Sequence, residues 1–189
     1  YDPATGFQRQ IHNIENTPFR TKFESDLAEF HGCSGIGCIS DTDPQPIVVN
    51  SHLGRYAVVT VAKINNIREI ADELLEKRMH FSERSANTVN PTEVVALLIN
   101  MGDSFVDGIN LVYSKIKGSC SMLILTENGI LAARDYLGRT PIVIGRKEGA
   151  YAATSETTAF PNLGYERLRD IGPGEIVEIT ADGGTQLQK

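Results

Sequence analysis

The apolar and polar positions of this chain alternate between two rhythms, one suited to strands and one to helices. The densest apolar stretch is Gly118–Ala159, which reads as two hairpins in succession. Cys120–Leu125 is almost continuously apolar, Asn128-Gly129 is a dipeptide that favours tight reversals, and Ile130–Ala133 returns. Pro141–Ile144 then runs out, Lys147-Glu148-Gly149 turns, and Ala150–Ala153 comes back. Strands apolar at nearly every position are covered on both faces, which predicts a sheet with helices above and below it.

Upstream, Pro3 and Gly6 punctuate a turn between Tyr1 and a strand over Phe7–Ile14. Lys22–Phe30 is predicted as a short helix carrying Phe23, Leu27 and Phe30 on one side, and Gly32 stops it. Gly32–Ile39 is small and apolar and is expected to be a buried strand, its glycines permitting close approach of a neighbouring strand or of a ligand. A rigid loop spans Asp41–Pro46. Ile47–Asn50 and Arg55–Val61 form a hairpin around Ser51–Gly54.

Three amphipathic helices follow. The first covers Ile67–Met79, with Ile67, Ile70, Ala71, Leu74, Leu75 and Met79 on one stripe and a capping box of Asn66 and Glu69. A polar loop, His80–Val89, leads to the second, where Asn90 is the N-cap, Pro91 the first helical residue and Glu93 the partner of a second capping box. Asp103 or Ser104 caps the third, which carries Phe105, Ile109, Val112 and Ile116 and closes at Gly118.

At 189 residues, 41% apolar and 22% charged, the chain is one domain-sized unit of ordinary globular composition. The net charge of −6, with no clustered basic run, gives no footprint for nucleic acid. No apolar stretch approaches the roughly 20 residues of a membrane span, so no membrane partner is expected. Cys33, Cys38 and Cys120 are an odd set with no zinc spacing and are read as buried free thiols in a reducing cytoplasm. No metal or other cofactor is expected. Because the chain opens on Tyr1 inside an apparent strand, it is expected to be part of a longer protein.

Between the two hairpins lies Arg134-Asp135-Tyr136-Leu137-Gly138-Arg139-Thr140-Pro141. As local chemistry this is a corner: Asp caps nearby amides, Gly takes a positive φ, and Pro ends the turn. With Ile130–Ala133 before it and Gly145, Ser155 and Glu156 after it, the wording resembles the signature of class II glutamine amidotransferase domains. Asp170–Val177, with Pro173-Gly174-Glu175, is similar to the close of the glutaminase half in the amidophosphoribosyltransferase family. The similarity runs with interruptions from Tyr1 to Ile179.

The resemblance implies an α+β fold, a four-layer α-β-β-α sandwich of the N-terminal-nucleophile hydrolase type, with its first strand missing from this chain. It implies one glutamine amidotransferase type 2-like domain over 1–189, N-terminally incomplete, with a phosphoribosyltransferase domain beyond Lys189 in the same longer chain. In that family an N-terminal cysteine attacks the glutamine side-chain amide with its own α-amine as base. That nucleophile is expected upstream of Tyr1, because a phenol with a pKa of about 10 attacks amides poorly.

Three ligand positions of the family align with changed residue types. The arginine that clamps the ligand carboxylate corresponds to Ser40, which carries no charge. The oxyanion pair corresponds to Ile64 and Asn65, leaving Asn65 as the oxyanion candidate. The carboxylate that holds the ligand ammonium corresponds to Pro91. Ser40, Asn65, Asn66, Asn90 and Thr92 are therefore the candidate substrate-binding residues, although Asn65, Asn66 and Asn90 are also explained as helix caps. Arg134, Asp135, Gly138, Pro141, Ser155 and Glu156 are signature residues with structural roles. Lys63 reads as a solvated strand end, His52 as a turn residue, and His12, His31 and His80 show no partner in the sequence.

Three functions follow. The first is a glutaminase domain that supplies ammonia for phosphoribosylamine formation in purine biosynthesis, in a cytoplasmic homo-oligomer. The second is an inactive amidotransferase-like scaffold with an altered pocket. The third is an N-terminal-nucleophile amidase acting on another amide.

Overall fold

In the computed structural model, which describes residues 1–41, 43–83 and 89–189, the two rhythms resolve into nine strands and five helices among the described residues. The strands are β1 Ile47–Ser51, β2 Gly54–Ile64, β3 Gly118–Leu125, β4 Ile130–Ala133, β5 Val143–Lys147, β6 Ala150–Thr154, β7 Glu166–Asp170, β8 Ile176–Thr180 and β9 Gly183–Gln188. The helices are α1 Phe19–Glu29, α2 Ile67–Glu76, α3 Pro91–Ile99, α4 Phe105–Lys115 and α5 Ala159–Leu163.

The strands form two antiparallel sheets, one ordered β1-β2-β3-β4-β8-β9 and a smaller one ordered β6-β5-β7. The two predicted hairpins thus land in different sheets, β3–β4 in the large one and β5–β6 in the small one. The corner Arg134–Pro141 is the crossover between them. Alternation along β2 explains the layering. Tyr56, Val58 and Ile64 pack with α2, α3 and α4 in the larger core, while Ala57, Val59 and Val61 face the other way. A second core, built on Ala132, Ile142, Ile144, Ile171, Val177 and Ile179, fills the space between the sheets. On the far side of the small sheet, Phe160 of α5 lies against Gly145. Helices, large sheet, small sheet and α5 make the layers of an α+β sandwich.

Several expected elements differ from what is observed. Phe7–Ile14 is not a strand; its turn closes as a single bridge between Asp2 and Gly6, and among the described residues no strand pairs with it. Gly32–Ile39 is likewise irregular. Cys33 is exposed, Ile39 is 74% exposed, and nothing lies within 4 Å of where a Cβ would stand on Gly35 or Gly37. An apolar run becomes a buried strand only where a sheet edge receives it. The first helix starts three residues earlier than expected, at Phe19, where Phe19 and Phe23 stack one turn apart. The second stops at Glu76, so Met79 packs on the core from outside the helix.

Both capping boxes are replaced by tertiary bonds. The Asn66 side chain makes no cap bond; it donates to the Lys115 carbonyl and accepts from Lys117 N, tying α2 to the end of α4. Glu93 turns to Ser82 N and Oγ and to Glu83 N. Asn90 does cap α3, accepting from Thr92 N at 2.9 Å, and Ser104 caps α4. The predicted loops at 41–46 and 80–89 include residues 42 and 84–88, which lie outside the described residues.

Candidate functional site

The signature corner is a clasp built from two distant parts of the chain. Arg134 donates through Nη1 to the Ile171 carbonyl at 2.7 Å and through Nη2 to the Gly138 carbonyl. Its backbone N–H donates to the Glu175 carbonyl, and its carbonyl accepts from Gly174 N. Glu175, almost fully buried, accepts from Gly172 N and pairs with Arg169 at 2.7 Å. Two glycines permit this closeness. Gly138 has φ +60 and Gly174 has φ +77, and a Cβ on Gly174 would stand 2.7 Å from the Tyr136 ring.

Asp135 is 3% exposed. Its carboxylate accepts from Leu137 N at 2.9 Å and from the Ser121 hydroxyl at 3.2 Å. Ser121 also lies 3.3 Å from the Thr140 carbonyl, so strand β3 and the outgoing limb of the corner are held by one hydroxyl. Behind this point, burial, with Cys120 and Asp135 nearby, pushes the Tyr113 phenol upward.

Beside the corner a cleft of about 330 Å³ opens between the sheets. The second core stops at Leu123 and includes no residue of β2, so the inward face of β2 is left open there. Val59, Val61 and Leu123 form one wall, Ile142 and Ala153 the other, and Gly37–Ile39 lines it as well. Five hydroxyl-bearing residues line it, Thr60, Ser121, Thr140, Thr154 and Ser155, of which Thr60 turns its hydroxyl to Thr92. Such a space can seat a small polar group among hydroxyls while its chain contacts aliphatic walls.

Of the candidate substrate-binding and signature residues only Ser155 lines this cleft, and of the three cysteines only Cys38 does. Ser40 lies outside it, exposed, with Oγ accepting from Asp43 N at 3.2 Å. Asn65 is exposed at the far end of β2, and its backbone N–H donates to the Lys117 carbonyl. Asn66 is committed to the α4 end as described. Asn90 is fully buried, and besides capping α3 it donates to the Pro44 carbonyl at 3.0 Å. The Thr92 hydroxyl meets that of Thr60 at 2.7 Å. Thr60 in turn exchanges backbone bonds with the Gln45 side chain. These bonds anchor the Pro44–Pro46 loop to β2 and α3, and the five candidates do not converge on one pocket.

The sequence did carry a signal for residues that were missed. In β3, GSCSMLIL, serines at 119 and 121 interrupt an apolar strand on the face opposite Cys120 and Met122. That alternation marks the side turned to the small sheet.

The expectation that Cys33 and Cys38 are buried in a strand is overturned by their placement. Cys33 is exposed; Cys38 is half-buried, its thiol pushed up by burial and donated to the Ile39 carbonyl at 3.4 Å. Cys120 is fully buried, and burial, then Asp135, push its thiol up to about 12. His12 contacts Asp26 and its ring lies edge-on to Phe23, and His52 bonds the Gly102 carbonyl at 2.9 Å. Among the described residues no helix is long and apolar enough to cross a membrane.

Residues 35–162 match a family described as a glutamine amidotransferase domain. The amidophosphoribosyltransferase of Methanocaldococcus jannaschii is 31% identical over 186 residues, covering 93% of this chain and 39% of that protein. The Bacillus subtilis amidophosphoribosyltransferase is 32% identical over 142 residues, covering 74% of this chain and 29% of that protein. Among solved structures, the B. subtilis glutamine phosphoribosylpyrophosphate amidotransferase complexed with ADP and GMP superposes with a TM-score of 0.68 at 30% identity. It covers 77% of this chain and 32% of that one. The chain therefore spans less than two fifths of the length of these relatives.

Proposed function

This chain belongs to the glutamine amidotransferase domain family, and from that premise we propose that it is the ammonia-supplying domain of an amidophosphoribosyltransferase-type protein. The observation that carries the reading is the cleft between the sheets. It is walled by the crossover that bears the signature Arg134–Pro141 and by Ser155 of the second signature pair. In this reading the side-chain amide of glutamine enters among the hydroxyls of Ser121, Thr140, Thr154 and Ser155. The thiol that attacks it belongs to an N-terminal cysteine upstream of Tyr1. The thiol gives its proton to the α-amine and adds to the amide carbon, the α-ammonium returns that proton to the leaving nitrogen so that ammonia departs, and water cleaves the resulting thioester to glutamate and the free thiol.

The rest of the proposal concerns the longer protein. The liberated ammonia serves a phosphoribosyltransferase domain beyond Lys189 in the same chain, yielding phosphoribosylamine for purine biosynthesis, in a cytoplasmic homo-oligomer. A nucleophile located elsewhere is supported by Cys120, which is buried with its thiol raised, and by Cys38, which lines the cleft with its thiol raised by burial.

Two measurements test this. L-glutamine titrated into the 189-residue chain is expected to shift the amide resonances of Ser121, Thr140, Thr154 and Ser155. The longer protein is expected to release ammonia from L-glutamine, and replacing its N-terminal cysteine by alanine is expected to stop that release. No shift at the cleft, or ammonia release that survives the replacement, overturns the proposal.

A further inference from the structure

Free glutamine brings a carboxylate and an ammonium as well as an amide, and neither charge enters a site cheaply without a partner. Yet no charged side chain lines the cleft. The two positions where the sequence led one to expect charged clamps hold Ser40 and Pro91, and Ser40 lies outside the cleft. Whatever grips the charged end stands at the rim.

Two residues of opposite charge flank the lining directly. Arg139 precedes Thr140, and Glu156 follows Ser155. Backbone register brings them to one end of the small sheet. Val143 of β5 pairs with Thr154 of β6, so the segment entering β5 and the segment leaving β6 emerge side by side. Both side chains are exposed. Arg139 makes no hydrogen bond or ion pair among the described residues. Glu156 accepts one bond through Oε1, from Thr158 N at 3.1 Å. At the same sheet end and with opposite sign, the two do not pair with each other, and the Arg139 guanidinium and the second carboxylate oxygen of Glu156 carry no bond among the described residues.

We propose that Arg139 and Glu156 determine specificity for the charged end of the ligand, an inference that rests on reading the cleft as the glutamine site. The Arg139 guanidinium takes the α-carboxylate in a two-pronged contact, Glu156 takes the α-ammonium, and the side-chain amide reaches down to Ser121.

The test uses the 189-residue chain and two probes, L-glutamine and butanamide, which is the same amide end without either charge. R139A and E156A are each expected to weaken L-glutamine binding at least tenfold, with R139K intermediate because it keeps the charge and loses the planar fork. Butanamide affinity is expected to stay the same in all of them, and unchanged far-ultraviolet circular dichroism shows that these exposed substitutions leave the fold intact. If L-glutamine binds R139A and E156A within twofold of the unsubstituted chain, the pair has no such role while the cleft reading stands. If the unsubstituted chain binds L-glutamine no better than butanamide, the pair is likewise excluded. If it binds neither probe, the cleft reading falls and takes the pair with it.

Discussion

Ser121 and Asp135 lie 14 residues apart in sequence and meet inside the protein, the Ser121 hydroxyl donating to the Asp135 carboxylate at 3.2 Å. This bond fastens strand β3 to the corner where the chain leaves one sheet for the other. Asp135 also holds Leu137 N, so both of its oxygens are occupied by neutral donors. Removing the carboxylate takes the partner from the part-buried Leu137 amide and leaves the Ser121 hydroxyl with only the Thr140 carbonyl. Asp135→Ala is expected to cost about 2–4 kcal/mol, and Ser121→Ala about 1–2 kcal/mol, in urea unfolding. Equal midpoints for Asp135→Ala and the unsubstituted chain would show that the corner does not depend on this pair.

Gly174 and Gly37 make a matched comparison. A Cβ at Gly174 meets the Tyr136 ring at 2.7 Å in a left-handed backbone conformation, whereas a Cβ at Gly37 meets nothing within 4 Å. Gly174→Ala is expected to lower stability by about 1–3 kcal/mol, and Gly37→Ala to fall within about 0.5 kcal/mol of neutral. Thermal unfolding of the two variants side by side reads the difference.

Glu73 links two helices, bonding Lys115 at 2.7 Å and Lys77 at 2.8 Å. Those hydrogen bonds hold its carboxyl down to about 2, from an ordinary value of 4.5. A lowered folded-state pKa means that the charged form is favoured by folding. The contribution is complete above pH 4.5 and is lost as pH falls toward 2. Glu73→Gln should therefore flatten the stability profile across that window and leave its slope near neutrality unchanged. Salt should narrow the difference, because the network is partly exposed. An unchanged acid limb in Glu73→Gln would rule out the linkage.

The thiols should react in the order of their exposure. Cys33 is open to solvent, Cys38 is half-buried and shifted up, and Cys120 is buried with its thiol at about 12. Iodoacetamide at pH 8 is expected to label Cys33 first and Cys38 more slowly, and to spare Cys120 until denaturant is added. Mass spectrometry of tryptic peptides checks this. Early labelling of Cys120 would mean that the β2–β3 core opens on the labelling timescale.

Much of the large sheet and its helix layer was legible from periodicity, since local patterning suffices when an element buries one face. The hairpin Ile47–Ser51 with β2, the turn at Asn128-Gly129, and helices α3 and α4 sit where their apolar spacing puts them. The failures share a cause. Phe7–Ile14 and Gly32–Ile39 have strand-like composition, but strand formation requires a partner edge, which is a property of the assembled chain. Asn66 and Glu93 illustrate the same competition at single residues, each leaving its local cap for a bond from another element.

The candidate ligands show it most clearly. Alignment to a signature places Asn90 and Thr92 near a pocket, yet both point into bonds with Pro44 and Thr60, while Ser121, Thr140 and Thr154 line the cleft. What the amino-acid sequence determined alone was the family, the run of helices and hairpins, and a corner whose glycines and aspartate dictate its bend. Tertiary structure decided that this corner joins two sheets rather than one, that the inward face of β2 stays open, and which hydroxyls look into that opening. The reason is physical: covalent spacing sets which way a side chain can point, but only the packing of distant segments settles what it meets there.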